Sequence, residues 1–514
     1  MTESVSAPNV VVAHKGLLTS AIMLAMVMQV LDTTIANVAL PHMRSSLGAS
    51  QDEINWVLTS YIVAAAIATP LTGWLADRLG RKTLLLFAVA GFTGSSLLCG
   101  IATSLEEMVL FRIMQGLCGA VLAPLAQATM MDINPREKLG QAMAIFGAGI
   151  MIGPIIGPTL GGWLTETFNW RAVFLVNLPV GGLALFMLFA LMPNTEVKRR
   201  RFDFFGFGML ALAVASLQLL LDRGQSVDWF SSMESWIYVG LIISGTWAFL
   251  IHSATAAEPF IDLKMFADRN FATGVGLIFV VGISLFAGLA LLPPLLQNLM
   301  GYPVIETGLV MAPRGVGTMV SMILVGRLVS RYDPRLLVAV GTLMTAYSMY
   351  LMTQFTIVMG PGPIMWSGFL QGIGMGLVFV PLNTLAFATI ASKYRVEATS
   401  MFSLVRNVGS GVGISIVTTV LAQMQTVNSA ELGERITLDS GAVRDFAASH
   451  GGIDQVVSTV TGLIAQQSAM IAFLDDFKLM MLITLASLPV ILLLRRPPRS
   501  GALTADQRAH AMAE

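Results

Sequence analysis

The chain has 514 residues, of which 55% are hydrophobic and only 12% are charged, and its mean hydropathy is +0.75. Soluble globular proteins carry roughly 25% charged residues, so this composition excludes an ordinary soluble domain and predicts an all-α integral membrane protein. The 30 Lys and Arg balance the 30 Asp and Glu, which gives no indication of a nucleic-acid partner.

Apolar runs predict fourteen membrane spans. In chain order they are 17–40, 54–76, 83–103, 107–131, 139–164, 172–192, 204–221, 235–253, 271–299, 306–326, 336–358, 363–391, 397–423 and 479–494. Most Lys and Arg residues between spans fall on one side if both termini are on that side, so the positive-inside rule places both termini in the cytoplasm. The first run is too long for the apolar part of a signal peptide and is predicted to remain as a membrane helix.

The first predicted span contains an acid, Asp32, near its end in "VLDTTIANVALP" (30–41). An ionisable residue inside a span is a functional hypothesis by default. At helical spacing Asp32 shares a face with Ala25, Gln29 and Ala36, and this small or polar face is predicted to look into the bundle. Asp32 is a candidate for binding a proton on one side and releasing it on the other. The alternative is a structural Asp that never titrates.

Arg112, in the fourth span, is the natural partner of Asp32. It shares a helical face with Gln115, Gly116 and Gly119, and small neighbours allow another backbone to come close. A buried guanidinium must bind something. The alternative to a pair with Asp32 is a static clamp on carbonyl groups of the first helix.

The loop after the second span, "GWLADRLGRK" (73–82), combines basic residues with glycines and one acid. Its residues of interest are Gly73, Asp77, Arg78, Gly80 and Arg81. The orientation of a membrane protein requires basic loops on the cytoplasmic side, but that requirement does not explain Asp77.

The fifth span carries glycines at every fourth residue. The motif consists of Gly149, Gly153, Gly157, Pro158, Gly161 and Gly162. Repeated GxxxG spacing predicts a smooth ridge for close helix packing, and proline interrupts the helical hydrogen bonds.

A long internal repeat divides the chain. "FRIMQGLCGAVLAPL" (111–125) resembles "SGFLQGIGMGLVFVPL" (367–382) at an offset of 256, and the loop at 73–82 is weakly repeated as "GRLVSRYDPR" (326–335). The repeat predicts a six-helix bundle at 1–192, a linker with two inserted helices at 193–270, and a second six-helix bundle at 271–514 with a long outer loop at about 424–478. Parallel repeats of this size favour an alternating-access transporter over a duplicated channel or scaffold.

These motifs, in this order, resemble a known family. "GWLADRLGRK" resembles the loop signature of the major facilitator superfamily, and "LDTTIANVALP", "GPIIGPTLGG", "WRAVFLVNLPVG" and "LDRGQSVDWF" resemble the fourteen-helix EmrB/QacA-type drug:proton antiporters. The resemblance implies that Asp32 binds the proton and that Arg112 senses its protonation. It implies that the loop at 73–82 holds the inner gate shut and that the glycine ridge takes part in closure of the two halves. It also implies a bacterial inner membrane location, a periplasmic adaptor, an outer-membrane channel, and no cofactor besides the proton gradient.

Polar residues within the predicted spans suggest what the cavity would bind. The candidate substrate-binding residues are Gln29, Asn37, Gln115, Gln371, Asn383, Arg406 and Asn407. Together with Arg112 and Arg314, the spans contain three arginines and one acid, which is a poor balance for a cation. The sequence therefore predicts a proton-driven exporter of neutral or weakly acidic lipophilic compounds, with an importer as the alternative. No P-loop, zinc pattern or G-x-S-x-G element is found, so neither an ATP-driven pump nor an enzyme is predicted.

Overall fold

The structure is a computed structural model that describes residues 14–135, 138–195, 197, 201–329, 331–435 and 453–495. Within these ranges all regular secondary structure is helical, which confirms the predicted all-α class. Among the described residues, 12 helices are long and apolar enough to cross a membrane, or 13 if a bent helix pair counts as one span. The predicted last span, 479–494, is divided between the end of one helix and a short helix after it, and it does not meet these criteria.

The first half consists of ten helices. They are α1 (Lys15–Leu47), α2 (Gln51–Ile54), α3 (Trp56–Ala68), α4 (Leu71–Leu79), α5 (Arg81–Ile101), α6 (Leu105–Gly119), α7 (Leu122–Asp132), α8 (Leu139–Thr167), α9 (Ala172–Leu175) and α10 (Asn177–Leu191). The predicted second span is the bent pair α3 and α4, which meet at 61°. Pro70 lies at this break, and its missing N–H cannot continue the helical hydrogen bonds.

Two helices follow as an inserted hairpin, and seven more form the second half. The hairpin is α11 (Phe204–Arg223) and α12 (Met233–Thr255). The second half contains α13 (Arg269–Pro294), α14 (Val304–Leu328), α15 (Pro334–Met352), α16 (Pro361–Phe387), α17 (Arg395–Arg435), α18 (Ile453–Ala486) and α19 (Leu488–Ile491). A short π-helix, Leu295–Leu299, extends α13.

The segment predicted as an outer loop, 424–478, is largely helical. The helix α17 continues to Arg435, and α18 begins at Ile453, where "IDQVVSTVTGLIAQQ" has apolar residues at helical spacing. Residues 436–452 of the predicted loop lie outside the described residues. The helix α17 therefore extends beyond its predicted span, and α18 begins well before the predicted last span.

One hydrogen bond between the two halves marks the position of the axis that relates them. The amide Nε2 of Gln127 on α7 donates to Oδ1 of Asn383 on α16 at 2.7 Å, and the two residues are 256 positions apart. This separation equals the offset of the sequence repeat. Since equivalent residues meet only near the axis that relates them, a pseudo-two-fold axis passes between Gln127 and Asn383.

The base of the inserted hairpin is held together by Asp203, the N-cap of α11. The carboxylate of Asp203 accepts hydrogen bonds from the backbone amides of Gly206 and Phe260, each at 2.9 Å, and lies 2.9 Å from Nε2 of His252 on α12. Burial raises the pKa of Asp203, but these hydrogen bonds outweigh burial and hold its pKa below the usual range. The helix α11 packs against α3 of the first half and α17 of the second.

Candidate functional site

Asp32 is enclosed in the middle of the first half. Its exposed fraction is 1%, the same value as for Ala25 and Ala36 on the same face of α1, and Gln29 is half-buried. The prediction that this face looks into the bundle is confirmed. Burial without partners would be costly for a carboxylate, so its neighbours decide its chemistry.

Three side chains bind the Asp32 carboxylate. Arg112 Nη1 on α6 donates to Oδ2 at 2.7 Å. Gln115 Nε2 and Asn177 Nδ2 donate to Oδ1 at 2.9 and 2.8 Å. Ser96 Oγ accepts a hydrogen bond from each of these two amides. These charge-assisted hydrogen bonds supply the partners that a buried carboxylate requires.

Arg112 links three helices of the first half. Besides Asp32 on α1, its Nε donates to the carbonyl oxygen of Val57 on α3 at 3.0 Å, and its Nη1 to Oε1 of Gln115 at 2.7 Å. The ring of Tyr61 lies against the guanidinium, with 4.5 Å from Cζ to the ring centroid. The carbonyl that Arg112 binds belongs to α3 and not to α1, so a clamp on first-helix carbonyls is not what the contacts show.

Two members of this cluster, Asn177 and Ser96, were not predicted from the sequence. Asn177 stands in "WRAVFLVNLPVG", where a polar residue interrupts an apolar run, and that interruption was an available signal. Ser96 carries no such signal, because serine is common in membrane helices and its role depends on the approach of other helices.

The gating loop meets an acid that the sequence did not single out. Asp132, at the end of α7, forms ion pairs with Arg81 at the start of α5 and with Arg395 at the start of α17. The Arg395 Nη1 to Asp132 Oδ1 distance is 2.6 Å. Since Arg395 belongs to the second half, Asp132 joins the two halves.

The other loop residues Gly73, Gly80 and Arg78 each have a close neighbour or a special backbone conformation. A Cβ at Gly73 would lie 3.3 Å from the Cα of Glu397, so α4 and the start of α17 approach closely here. Gly80 has φ +79°, a conformation that favours glycine. Arg78 lies over the ring of Trp74, 5.2 Å from its centroid.

The glycine ridge of α8 packs against the helix that carries Asp32. A Cβ at Gly153 would lie 2.9 Å from the carbonyl carbon of Val30, and one at Gly161 would lie 3.2 Å from the Cα of Ile35. Gly149 and Gly157 meet Met23 and Thr34 of α1 in the same way. Pro158 and Gly162 lie in the same helix, which continues to Thr167.

Another face of α8 contacts the second half. A Cβ at Gly315 of α14 would collide with Ile155, and one at Gly308 would lie 2.7 Å from Oγ1 of Thr159. The ridge itself therefore packs within the first half, and the neighbouring positions of α8 meet α14.

The candidate substrate residues fall into different environments. Gln115 binds Asp32, and Asn383 binds Gln127. Gln371 is buried with both side-chain polar atoms unpaired, and Gln29 is half-buried with an unpaired Oε1. Arg406 is half-buried.

The expectation that the spans bury every one of these residues is wrong for Asn37 and Asn407, which are exposed. Asn37 follows Asp32 by five residues, which turns it about 140° away from the buried face of α1. Asn407 lies on an exposed face of α17 beside the half-buried Arg406.

Comparisons with known proteins find similar chains over most of this sequence. A family model described as the Major Facilitator Superfamily matches residues 22–414. The chain is 34% identical over 486 residues to the fatty acid resistance protein FarB of Neisseria gonorrhoeae, covering 93% of this chain and 96% of that protein. It is 33% identical over 458 residues to the multidrug export protein EmrB of Escherichia coli (strain K12), covering 88% of this chain and 90% of that protein.

Solved structures show the same fold. The human organic anion transporter MFSD10 superposes with a TM-score of 0.58 at 13% identity, covering 91% of this chain and 99% of that chain. The proton:xylose symporter XylE superposes with a TM-score of 0.57 at 14% identity, covering 91% and 95%. At these identities the likeness concerns the fold alone.

Proposed function

This chain belongs to the major facilitator superfamily, and from that premise we propose that it is a drug:proton antiporter that exports lipophilic compounds. Its relatives FarB and EmrB, similar over most of their lengths, are named for fatty acid resistance and multidrug export. We further propose that it lies in a bacterial inner membrane with both termini in the cytoplasm, as the distribution of Lys and Arg favours.

The observation that carries the proposal is the buried contact between Asp32 and Arg112, each 1% exposed. Protonation of Asp32 removes the negative charge that holds Arg112, Gln115 and Asn177 together. The contacts of α1 with α6 and α10 then weaken, so proton binding favours a different helix arrangement. Each proton that enters across about 100 mV supplies roughly 2.3 kcal/mol from the membrane potential alone.

The ion pairs of Asp132 supply the gate in this proposal. Asp132 holds Arg81 of its own half and Arg395 of the other half, and Gln127 binds Asn383 near the same end. With the proposed orientation this end is cytoplasmic. Release of these contacts opens the cavity to the cytoplasm, and their formation commits the cargo to the outside.

Charge inside the membrane favours neutral or weakly acidic lipophilic substrates. Arg112 is occupied by Asp32, whereas Arg314 and Arg406 form no ion pair among the described residues. A cationic drug would therefore face uncompensated positive charge. The name of FarB points to the same class of compound.

We also propose that export continues through a periplasmic adaptor and an outer-membrane channel. The long helices α17 and α18 extend beyond the predicted spans toward the proposed outer side. They offer a helical surface for such an adaptor.

Substitution Asp32→Asn tests the proposal. The variant keeps the shape of the side chain but cannot carry a proton, so drug addition to proteoliposomes should release no protons and uphill export should fall at least about tenfold. Downhill drug movement should persist. Drug-driven proton release and drug counterflow are measured on the same vesicles.

Asp228→Asn is the matched control, because Asp228 is exposed and its left-handed backbone conformation suits asparagine. It should export like the parent protein. If Asp32→Asn exported the drug uphill at the parental rate, the role of Asp32 would be disproved. If drug and protons instead moved together in the same direction, the protein would be an importer.

A further inference from the structure

The second half contains a buried polar pair that the proton mechanism does not use. Arg314 on α14 is 6% exposed and Gln371 on α16 is 1% exposed. Arg314 Nη2 donates to the carbonyl oxygen of Leu285 at 3.0 Å, but its Nη1 has no hydrogen-bond partner. Nε2 and Oε1 of Gln371 have none either. Unpaired buried donors of this kind are costly, so a ligand that pairs with them is favoured.

The two side chains converge on Gly288 of α13. A Cβ at this glycine would lie 3.3 Å from both Nη1 and Nη2 of Arg314 and 3.5 Å from Nε2 of Gln371. An oxygen atom near that point would come within hydrogen-bonding distance of the guanidinium and the amide after shifts of a few tenths of an ångström.

The internal repeat shows what is missing from this place. In the first half Gln115 donates to Asp32, 83 residues before it. Gln371 and Gly288 have the same separation, and the offset of 256 relates Gln115 to Gln371 and Asp32 to Gly288. The second half therefore keeps the amide and lacks the carboxylate.

The repeat also indicates which residue of the first half corresponds in position to Arg314. Gly116 of α6 comes close to the carbonyl oxygen of Tyr61, and its equivalent Gly372 comes close to the carbonyl oxygen of Arg314. Arg314 thus occupies the position that Tyr61 holds in the first half. A guanidinium and an amide therefore face Gly288, where the first half has the acid Asp32.

We infer that Arg314 and Gln371, converging on Gly288, bind the carboxylate headgroup of a lipophilic acid. A guanidinium with a free N–H beside an amide donor matches carboxylate oxygens in charge and geometry. Gly315, the next residue after Arg314, contacts Ile155 of the first half, so the site lies close to the interface where cargo would pass. The inference rests on the proposed export function, since it names the class of cargo.

Two probes with one tail and different headgroups test the site. The purified full chain is titrated at pH 8 with 1-pyrenebutyrate, which is ionised, and with 1-pyrenebutanol, which is neutral, and binding is followed by energy transfer from tryptophan to pyrene. Arg314→Gln should weaken binding of the acid about tenfold or more, equivalent to about 1.4 kcal/mol. The alcohol should bind as before, and Arg314→Lys should recover much of the affinity for the acid.

A second pair of variants keeps the test decisive if Arg314→Gln fails to fold. Gly288→Asp supplies an internal carboxylate that pairs with Arg314 and should exclude the acid while the alcohol still binds. Gly288→Asn has the same shape without the charge and should affect the two probes equally. Equal effects of Asp and Asn at 288, or equal losses for both probes in Arg314→Gln, would overturn the site.

Transport separates this inference from the proposed function. Wild-type everted vesicles could accumulate the alcohol in a proton-driven manner while the protein shows no preference for binding the acid. That result would reject the carboxylate site and leave the export function standing. Selective binding of the acid with no proton-driven transport of either probe would keep the site and count against export.

Discussion

Arg112 concentrates several interactions in one side chain. Its guanidinium contacts the carboxylate of Asp32, the side-chain oxygen of Gln115 and the carbonyl oxygen of Val57, and it stacks on Tyr61. A planar fork with five donors can satisfy acceptors on several helices at once, whereas an ammonium group is a compact point charge. The contact thus depends on shape as well as on charge.

Substitution Arg112→Lys separates these two properties. The ammonium keeps the positive charge but cannot reach all three acceptors, so we expect substrate binding to persist while its dependence on pH disappears. The wild-type affinity is expected to differ between pH 6 and pH 8, and the affinity of the variant to change by less than about twofold. Isothermal titration at the two pH values measures this.

Arg171→Lys provides the comparison for that experiment. Arg171 also donates to a backbone carbonyl, that of Ala102, at 2.9 Å, and stacks on Trp170, but it contacts no part of the Asp32 cluster. Its substitution should leave the pH dependence intact. An unchanged pH dependence in Arg112→Lys would favour a purely structural role for Arg112.

The charged members of the site were predictable because charge inside an apolar run is rare and costly. Asp32 and Arg112 stand out in the sequence for that reason, and helical spacing indicated the face on which Asp32 lies. Ser96 and Asp132 did not stand out, since a serine is ordinary in a membrane helix and an acid at a helix end looks like a loop residue. Their roles depend on the three-dimensional approach of α5, α7 and α17.

At the scale of single helices, α8 lies between α1, which carries Asp32, and the second half. Its glycine ridge holds α1 at Val30, Thr34 and Ile35, and Thr34 Oγ1 donates to the carbonyl oxygen of Gly153 at 3.2 Å. Its other face meets α14 through Ile155. In the proposed mechanism, a displacement of α1 on protonation would therefore reach the interface between the halves through one helix.

Substitution Gly153→Ala tests the close contact of α8 with α1. The added methyl would lie 2.9 Å from the carbonyl carbon of Val30, and backbone cannot yield as a side chain can. We expect the free energy of unfolding to fall by about 1–3 kcal/mol and export to fall with it. Thermal unfolding in detergent and export from vesicles measure the two effects.

Gly182→Ala on α10 is the matched change. Nothing lies within 4 Å of a Cβ at that position, so the substitution should stabilise the helix by up to about 1 kcal/mol and leave export unchanged. If Gly153→Ala behaved like Gly182→Ala, the ridge would have no part in the mechanism.

At the scale of the whole molecule, the inserted hairpin touches both halves. The hydroxyl of Thr59 on α3 donates to Asp222 at the end of α11. A Cβ at Gly411 of α17 would lie 3.4 Å from the side-chain amide of Gln218, also on α11. The hairpin therefore covers the seam between α3 and α17, while α8 and α14 form the opposite seam.

The repeat was visible in the sequence, but the seam that the hairpin covers was not. Offsets between similar motifs depend only on sequence. Which helices flank an insertion depends on packing between distant elements such as α3, α11 and α17. The same limit applies to the contact of Gln127 with Asn383, although its separation of 256 residues equals the offset that the sequence showed.

Cross-linking of this axial contact tests the alternating movement of the halves. In a chain with Cys99 and Cys118 replaced by alanine, cysteines at Gln127 and Asn383 should react with one short bifunctional thiol reagent, because their side chains meet at 2.7 Å in the native protein. The cross-link should hold this end closed and abolish export, and a cleavable reagent should restore export on reduction.

Adding Asp132→Asn removes the ion pairs to Arg81 and Arg395, so the cross-linked fraction should fall as the closed state becomes less populated. Full export by the cross-linked protein, or a yield that Asp132→Asn does not change, would show that this end does not open during transport.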